Sequence, residues 1–370
     1  MGELRRQSVI PTTLHFVIKG ELDQKTGGYI YDARIIREMR LLGWHITVYS
    51  TSNSKPGEEG RVEEDLGSIL SGIEDNEIVI LDGLVMGRHP LVLSQHAHRL
   101  RMISLLHHPL SKESGLTELE KDRLLHSEKA ALASCIGVVT TSDFTSQQLN
   151  HMGVSESIIR TVIPGTDPSP VSIGPHKHFS PRFLCVASVI PRKGLDTLVD
   201  ALSQILHLDW ECICAGSLDR KPGYASDILK KVRDKKLSSR ILFTGECSQS
   251  TIDKFYHISS IFVLPSMYEG YGMVLTEAAT RGLPIISTTA GAIPNTLKST
   301  NAVLVPPGDT QSLAKAMEQA LAGESRNSEG FTIRANQAQK HFPDWKSTTK
   351  TFEEAIKTLA YNKPRGLADG

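Results

Sequence analysis

Two acids and two bases stand out as residues able to do chemistry. In the stretch IFVLPSMYEGYGMVLTEAATRGLPIISTT, Ile261 to Thr289, seven residues separate Glu269 from Glu277, and Gly270 and Gly272 follow the first acid. The apolar run Ile261 to Leu264 predicts a strand, the glycines a tight turn, Gly272 to Arg281 a helix, and Pro284 to Ser287 a second strand. Glycine lets backbone lie close to a ligand. The helix that follows aims its unpaired N–H groups and the positive end of its dipole into the turn. Such a turn suits an anion that carries hydroxyl groups. Taken residue by residue, the same string could be an ordinary strand-turn-helix with two surface glutamates.

The bases lie in Ser188-Val-Ile-Pro-Arg-Lys-Gly194. Pro191 ends a predicted strand and Gly194 opens a helix, which leaves Arg192 and Lys193 at the mouth of a crevice. Arginine supplies a planar fork and lysine a mobile point charge, a pairing suited to a diphosphate. The alternative is two solvated loop cations. Gly27 and Gly28, at the end of the polar loop GELDQKTGG, offer another place where backbone can meet a phosphate or a sugar ring.

The predicted strand Met102 to Leu106 ends in His107-His108-Pro109, and ligands of open α/β sheets bind at such carboxyl ends. Successive strand residues face opposite ways, so one histidine faces the cleft and the other is structural unless the strand has already broken. His96 and His98 are two apart on a predicted helix and do not face each other. Cys212 and Cys214 are separated by one residue, not the two of a redox or zinc pair. No metal site is expected. The chain has no Asp-x-Asp pair and no P-loop, and Leu275 stands where a dinucleotide-binding glycine pattern starting at Gly270 needs its last glycine.

The elements that must position these residues alternate strand and helix along all 370 residues, more than one core usually organises. Strands are predicted at Leu14 to Ile18, His45 to Ser50, Glu77 to Leu81, Met102 to Leu106, Ile136 to Thr140 and Ile159 to Ile163. Pro164 to Ser180, with four prolines, then reads as a linker. Six further strands follow, at Arg182 to Ser188, Trp210 to Ala215, Ile241 to Gly245, Ile261 to Leu264, Pro284 to Ser287 and Ala302 to Val305. Two doubly wound domains are therefore expected: residues 1–165 joined by a C-terminal helix at about 346–362, a linker at 166–180, and residues 181–345.

Lys plus Arg (41) balances Asp plus Glu (41), which gives no argument for a nucleic-acid partner. The five cysteines read as buried, reduced thiols of an intracellular protein. No apolar run reaches the roughly 20 residues of a membrane-spanning helix, and MGELRRQSVIPTT lacks the apolar core of a signal peptide. A cytoplasmic protein is expected, with peripheral contact to the inner face of a membrane left open. The cationic run Arg220 to Arg240 is expected to be a solvated helix face.

With these residues in hand, the chain resembles the retaining glycosyltransferases of group 1, also called glycosyltransferase family 4. The similarity lies in TGGYIYD at Thr26 to Asp32, HHPL at His107 to Leu110, SVIPRKGLDTLVDAL at Ser188 to Leu202, the CAG turn at Cys214 to Gly216, and the E-x7-E signature from Glu269 to Glu277. The resemblance implies the GT-B fold, two Rossmann-like doubly wound domains facing across a cleft. It implies metal-independent transfer of a sugar, a hexose by preference, from a nucleoside-diphosphate sugar to a hydroxyl of a carbohydrate, lipid-linked or small-molecule acceptor, as in polysaccharide or glycolipid synthesis. No cofactor is implied.

By the same resemblance Glu277 would bind the donor's ribose. Glu269 would face the transferred sugar, with Gly270, Tyr271 and Gly272 touching its hydroxyls and the diphosphate. Arg192 and Lys193 would neutralise the diphosphate, Gly27 and Gly28 would close over it, and Gly216 would contact the donor. His107, or else His108, would lie by sugar and acceptor. A nucleotide-sugar binding or regulatory protein, or a sugar-nucleotide epimerase on the same fold, is the alternative.

Overall fold

Short apolar strands alternating with amphipathic helices build two separate parallel sheets in the computed structural model, which describes residues 13–52, 59–113, 115–175, 179–323 and 328–361. The N-terminal segment read for a leader and the final PRGLADG lie outside these residues. So do residues 176–178 of the linker.

The first half runs β1 (Thr13–Lys19), α1 (Gly27–Leu41), β2 (His45–Thr51), α2 (Glu59–Ser71), β3 (Ile78–Asp82), α3 (Gly83–Met86), α4 (Pro90–His96), β4 (Arg101–Leu106), α5 (Glu118–Leu132), β5 (Gly137–Thr140), α6 (Asp143–His151) and β6 (Ile159–Thr161). Its sheet order is β2-β1-β3-β4-β5-β6. Strand alternation sends Leu14, Phe16 and Ile18 of β1 to one face and Val17 to the other, so each face has its own core. The short α3 was not expected. Asp82 starts it, accepting a hydrogen bond from the Leu84 N–H at 2.6 Å.

The second half runs β7 (Arg182–Val186), α7 (Leu195–Gln204), β8 (Glu211–Ala215), α8 (Pro222–Asp234), β9 (Ile241–Gly245), α9 (Gln249–His257), β10 (Ile261–Leu264), α10 (Met273–Thr280), β11 (Ile285–Thr288), α11 (Ile293–Thr296), β12 (Val303–Val305), α12 (Thr310–Ala322) and α13 (Ser328–Gln339). Its order is β12-β11-β10-β7-β8-β9. The cations of the run Arg220 to Arg240 are less idle than expected. Lys231 and Lys235 both reach Asp200 on α7, while Arg240 stacks on Trp210 at 3.9 Å. They tie neighbouring elements together instead of forming a purely solvated face.

The last helix, α14 (Trp345–Tyr361), returns to the first sheet. Its buried residues Trp345, Thr348, Thr349, Phe352, Ala355, Ile356 and Leu359 recur every three or four positions, which makes one continuous apolar stripe. That stripe joins the core beside α1. Where the chain leaves the first sheet, Gly165 lies against the start of α14; a Cβ there would come within 2.6 Å of Trp345 Cα and N. Gly165→Ala should therefore destabilise the fold by about 1–3 kcal/mol, read as a lowered urea midpoint. Gly223→Ala in α8, where a Cβ meets nothing within 4 Å, should be neutral or stabilising by at most ~1 kcal/mol. Equal effects would show that the crossover is not tightly packed.

Candidate active site

Sheet order decides where the chemistry-bearing residues meet. In the second sheet β7 and β10 are neighbours although two other strands separate them in sequence, so the segments leaving their carboxyl ends diverge and open a crevice. Residues 187–194 leave β7 and residues 265–272 leave β10. In the first sheet β1 and β3 are such neighbours, which brings Gly27 and Gly28 to the same end as Asp82. The two crevices face each other around a cavity of about 190 Å³, lined among others by Gly27, Gly28, Asp82, His107, His108, Thr141, Arg192, Lys193, Glu269, Gly270, Tyr271 and Gly272.

Glycine makes this convergence sterically feasible. Gly194 has φ +65°, and a Cβ there would sit 2.1 Å from the Pro265 carbonyl oxygen, so the segments after β7 and β10 touch backbone to backbone. Gly270 lies equally close to the His107 carbonyl, where a Cβ would be 2.1 Å from the oxygen. That contact joins the second domain to the first. Residues at the N-terminal ends of α1 and α10 line the cavity, and Arg192 and Lys193 immediately precede α7. Two helix N-terminal ends and two cations thus border one space, which favours an anion there.

The floor of the crevice is a buried ion cluster. Glu269 is 5% exposed. Its Oε1 accepts hydrogen bonds from Lys193 Nζ at 2.5 Å and Ser266 Oγ at 2.6 Å, and its Oε2 lies 3.6 Å from Arg192. Burial pushes the Glu269 carboxyl up, but Lys193, Arg192 and the Ser266 hydroxyl together hold it below its ordinary range. Arg192 also donates to the Tyr268 carbonyl at 3.0 Å and, across the domain boundary, to Glu113 at 3.1 Å. The bases are therefore not loose loop cations, since carboxylates of both domains already occupy them.

Both histidines line the cavity, which corrects the expectation that one would be purely structural. The reason is that β4 stops at Leu106, so strict alternation no longer governs residues 107 and 108. His107 Nε2 lies 3.0 Å from Asp32 Oδ1 and 3.9 Å from Asp82 Oδ2. His108 Nε2 lies 3.3 Å from Glu113, and burial holds the His108 ring below its usual pKa. Asp32, Asp82 and His107 form the one group among the described residues whose ligand atoms all lie within 4.8 Å of one another. Of this triad, the imidazole nitrogen nearest both acids is hydrogen-bonded to Asp32, and Asp82 stands beyond hydrogen-bond reach of it.

Two predicted donor contacts lie outside the cavity wall. Gly216 packs where β8 ends, and a Cβ there would be 2.1 Å from the Ala187 carbonyl oxygen, a requirement of the fold itself. Glu277 lies one turn beyond Val274, which does line the cavity. Its Oε2 accepts a hydrogen bond from Tyr256 at 3.0 Å, and burial lifts its carboxyl above the ordinary value.

Asp32, Asp82, Glu113 and Ser266 were not singled out from the sequence. Asp82 had a signal, its place at a predicted strand's end, but Glu113 had none. The depressed Glu269 carboxyl gives a pH test. Stabilisation from its charge is complete above its ordinary pKa of 4.5 and is lost as the pH falls through the lower folded value. The excess unfolding free energy of the wild type over Glu269→Gln should shrink across that acid range in denaturant titrations; a constant gap would rule out the charge as its source.

Comparison with known proteins agrees with this arrangement. Residues 173–337 match the sequence profile described as glycosyl transferases group 1. A lipopolysaccharide core biosynthesis mannosyltransferase of Rhizobium meliloti is 33% identical over 111 residues, 29% of this chain and 31% of its own length. The sucrose-phosphate synthase of Zea mays is 26% identical over 211 residues, 53% of this chain and 19% of that protein. The matched stretches thus span a third or less of these curated relatives. The structure of sucrose-phosphate synthase from Thermosynechococcus elongatus superposes with a TM-score of 0.80 at 20% identity, over 94% of this chain and 98% of that one. Anabaena HepE, in complex with UDP and glucose, superposes with a TM-score of 0.75 at 16% identity, over 94% and 99%. Over residues 173–337 the second domain thus resembles the glycosyl transferases group 1 family, and the two facing sheets of the chain are the GT-B fold.

Proposed function

We propose that this protein is a retaining glycosyltransferase that moves a hexosyl group from a nucleoside-diphosphate sugar to an acceptor hydroxyl without a metal. The observation that carries this reading is the half-buried Lys193–Arg192 pair beside the N-terminal end of α10, facing Gly27 and Gly28 of α1 across the cavity. A diphosphate placed there meets two fixed cations and several backbone N–H groups, the charge compensation that a metal would otherwise supply. The relatives named as a mannosyltransferase and sucrose-phosphate synthases support a sugar donor, as does the UDP and glucose held by Anabaena HepE.

In this reading the diphosphate draws Lys193 and Arg192 partly away from Glu269, whose carboxylate then meets hydroxyls of the sugar. Glu277 takes the ribose through Oε1, which accepts no hydrogen bond from a described residue. His107 and His108 lie beside the sugar and the acceptor. The bond between the anomeric carbon and the phosphate oxygen breaks while the acceptor oxygen bonds to the same face. The acceptor's proton passes to the departing phosphate, whose growing negative charge Lys193 and Arg192 stabilise. The acceptor itself is a carbohydrate, a lipid-linked glycan or a small molecule.

Incubation with a panel of nucleoside-diphosphate sugars and sugar acceptors should release nucleoside diphosphate with one donor; tight donor binding without release would mean a binding protein instead. Lys193→Ala should lower turnover at saturating donor by about 2.7–4 kcal/mol, on the order of 10²–10³-fold. An unchanged rate would remove Lys193 from the chemistry. Activity should survive exhaustive treatment with a chelator, and inhibition that magnesium reverses would show a metal requirement.

A further inference from the structure

The triad around His107 contains an acid that the proposed reaction leaves without a task. Asp32, on α1, is fully buried. Its Oδ1 meets His107 Nε2 at 3.0 Å, but its Oδ2 has no hydrogen-bond partner among the described residues although no solvent reaches it. A buried carboxylate oxygen left unpaired is costly. Asp82, 2% exposed, stands on the other side of His107 with its acidic oxygen within 4.8 Å of the Asp32 ligand atom. Unlike Asp32, it lines the cavity.

We propose that Asp32 is a positioning residue for His107: Oδ1 fixes the Nε2–H tautomer, and Nδ1 is thereby turned to the cavity.

The geometry is restrictive. A carboxylate oxygen only accepts, so Nε2 must carry the hydrogen of that bond. The Cδ2 side of the ring lies against the first turn of α1, where a Cβ on Gly28 would come within 3.0 Å of it. Tyr31 abuts the ring edge-on at 5.4 Å and so blocks rotation. Nδ1 is left as the ring nitrogen without a protein partner among the described residues, on a side chain that lines the cavity.

The groups facing this ring are Asp32 and Tyr31 on α1, Asp82 at the end of β3 and the neighbouring His108, while Gly270 of the second domain meets the His107 backbone carbonyl. Tyr29 adds a phenol near both acids. Burial lowers the His107 pKa, but the charge and hydrogen bond of Asp32 and the charge of Asp82 more than offset it and leave the ring easier to protonate than free histidine. Burial and the adjacent Asp32 push Asp82 up to about 7, against the pull of His107 and the Leu84 N–H. A protonated His107 then offers Nδ1–H as a donor to a substrate hydroxyl, and Asp32 sets its direction. This use rests on the proposed transfer reaction; the tautomer does not.

The test is nitrogen-15 imidazole NMR of the full-length protein, with His107 assigned by loss of its signals in His107→Gln. In the wild type Nε2 should stay protonated, and Nδ1 should titrate with a midpoint above that of free histidine. An Nδ1–H tautomer, or a midpoint below free histidine, overturns the proposal. Asp32→Asn, which keeps size and removes charge, should lower the midpoint and cut kcat on the order of ten- to a hundred-fold with less change in KM; an unchanged midpoint overturns it. Saturable broadening of the His107 signals by added Mn2+ would put a cation where the proton is assigned and would equally overturn it. The resonance readouts need no sugar donor, so they succeed or fail separately from the assignment of the reaction.

Discussion

A carboxylate buried between two cations is the constraint on which the second domain's working surface depends. Glu269 can be 5% exposed and still charged only because Lys193 and Arg192 close on it from the segment after the neighbouring strand. That attraction holds together two segments more than 70 residues apart in sequence. It also leaves the cations desolvated and pre-placed, so an anionic ligand exchanges one negative partner for another without assembling the site from mobile side chains. Arg192 extends the same cluster to Glu113 of the first domain, and the charge balance of the cleft is therefore shared by both halves.

Backbone contact between the domains imposes a second constraint. Gly270 against the His107 carbonyl is a place where any side chain would push the halves apart. The cavity between the halves is bounded by fold-level contacts as well as by ligand-binding groups. Gly216 makes a fold-level contact of the same kind. Its neighbourhood to Ala187 is a matter of two strand ends meeting.

Much of the site was legible because its residues lie at strand ends and helix starts, which hydrophobic periodicity and glycine position mark directly. Arg192, Lys193, Glu269 and the glycines at 27, 28, 270 and 272 all reach the cavity. Asp32 was not legible as a functional residue, since it is one acid within a helix and nothing local says that β1, β3 and β4 gather around it. Glu113 was invisible for the same reason: its partners are His108 at a strand end and Arg192 in the other domain.

The sequence by itself determined the alternation of strands and helices, the existence of two sheets, the basic pair, and the two acids seven residues apart. These follow from short-range rules: side-chain period, the dihedral needs of glycine and proline, and the charge of each residue. Only the tertiary structure decided that Lys193 would bind Glu269 directly, that both histidines would face one cavity, and that Glu277 would stand behind its wall. Those outcomes depend on which strands become neighbours and how closely two backbones approach, and both are settled by packing over the whole chain, not by any stretch of it.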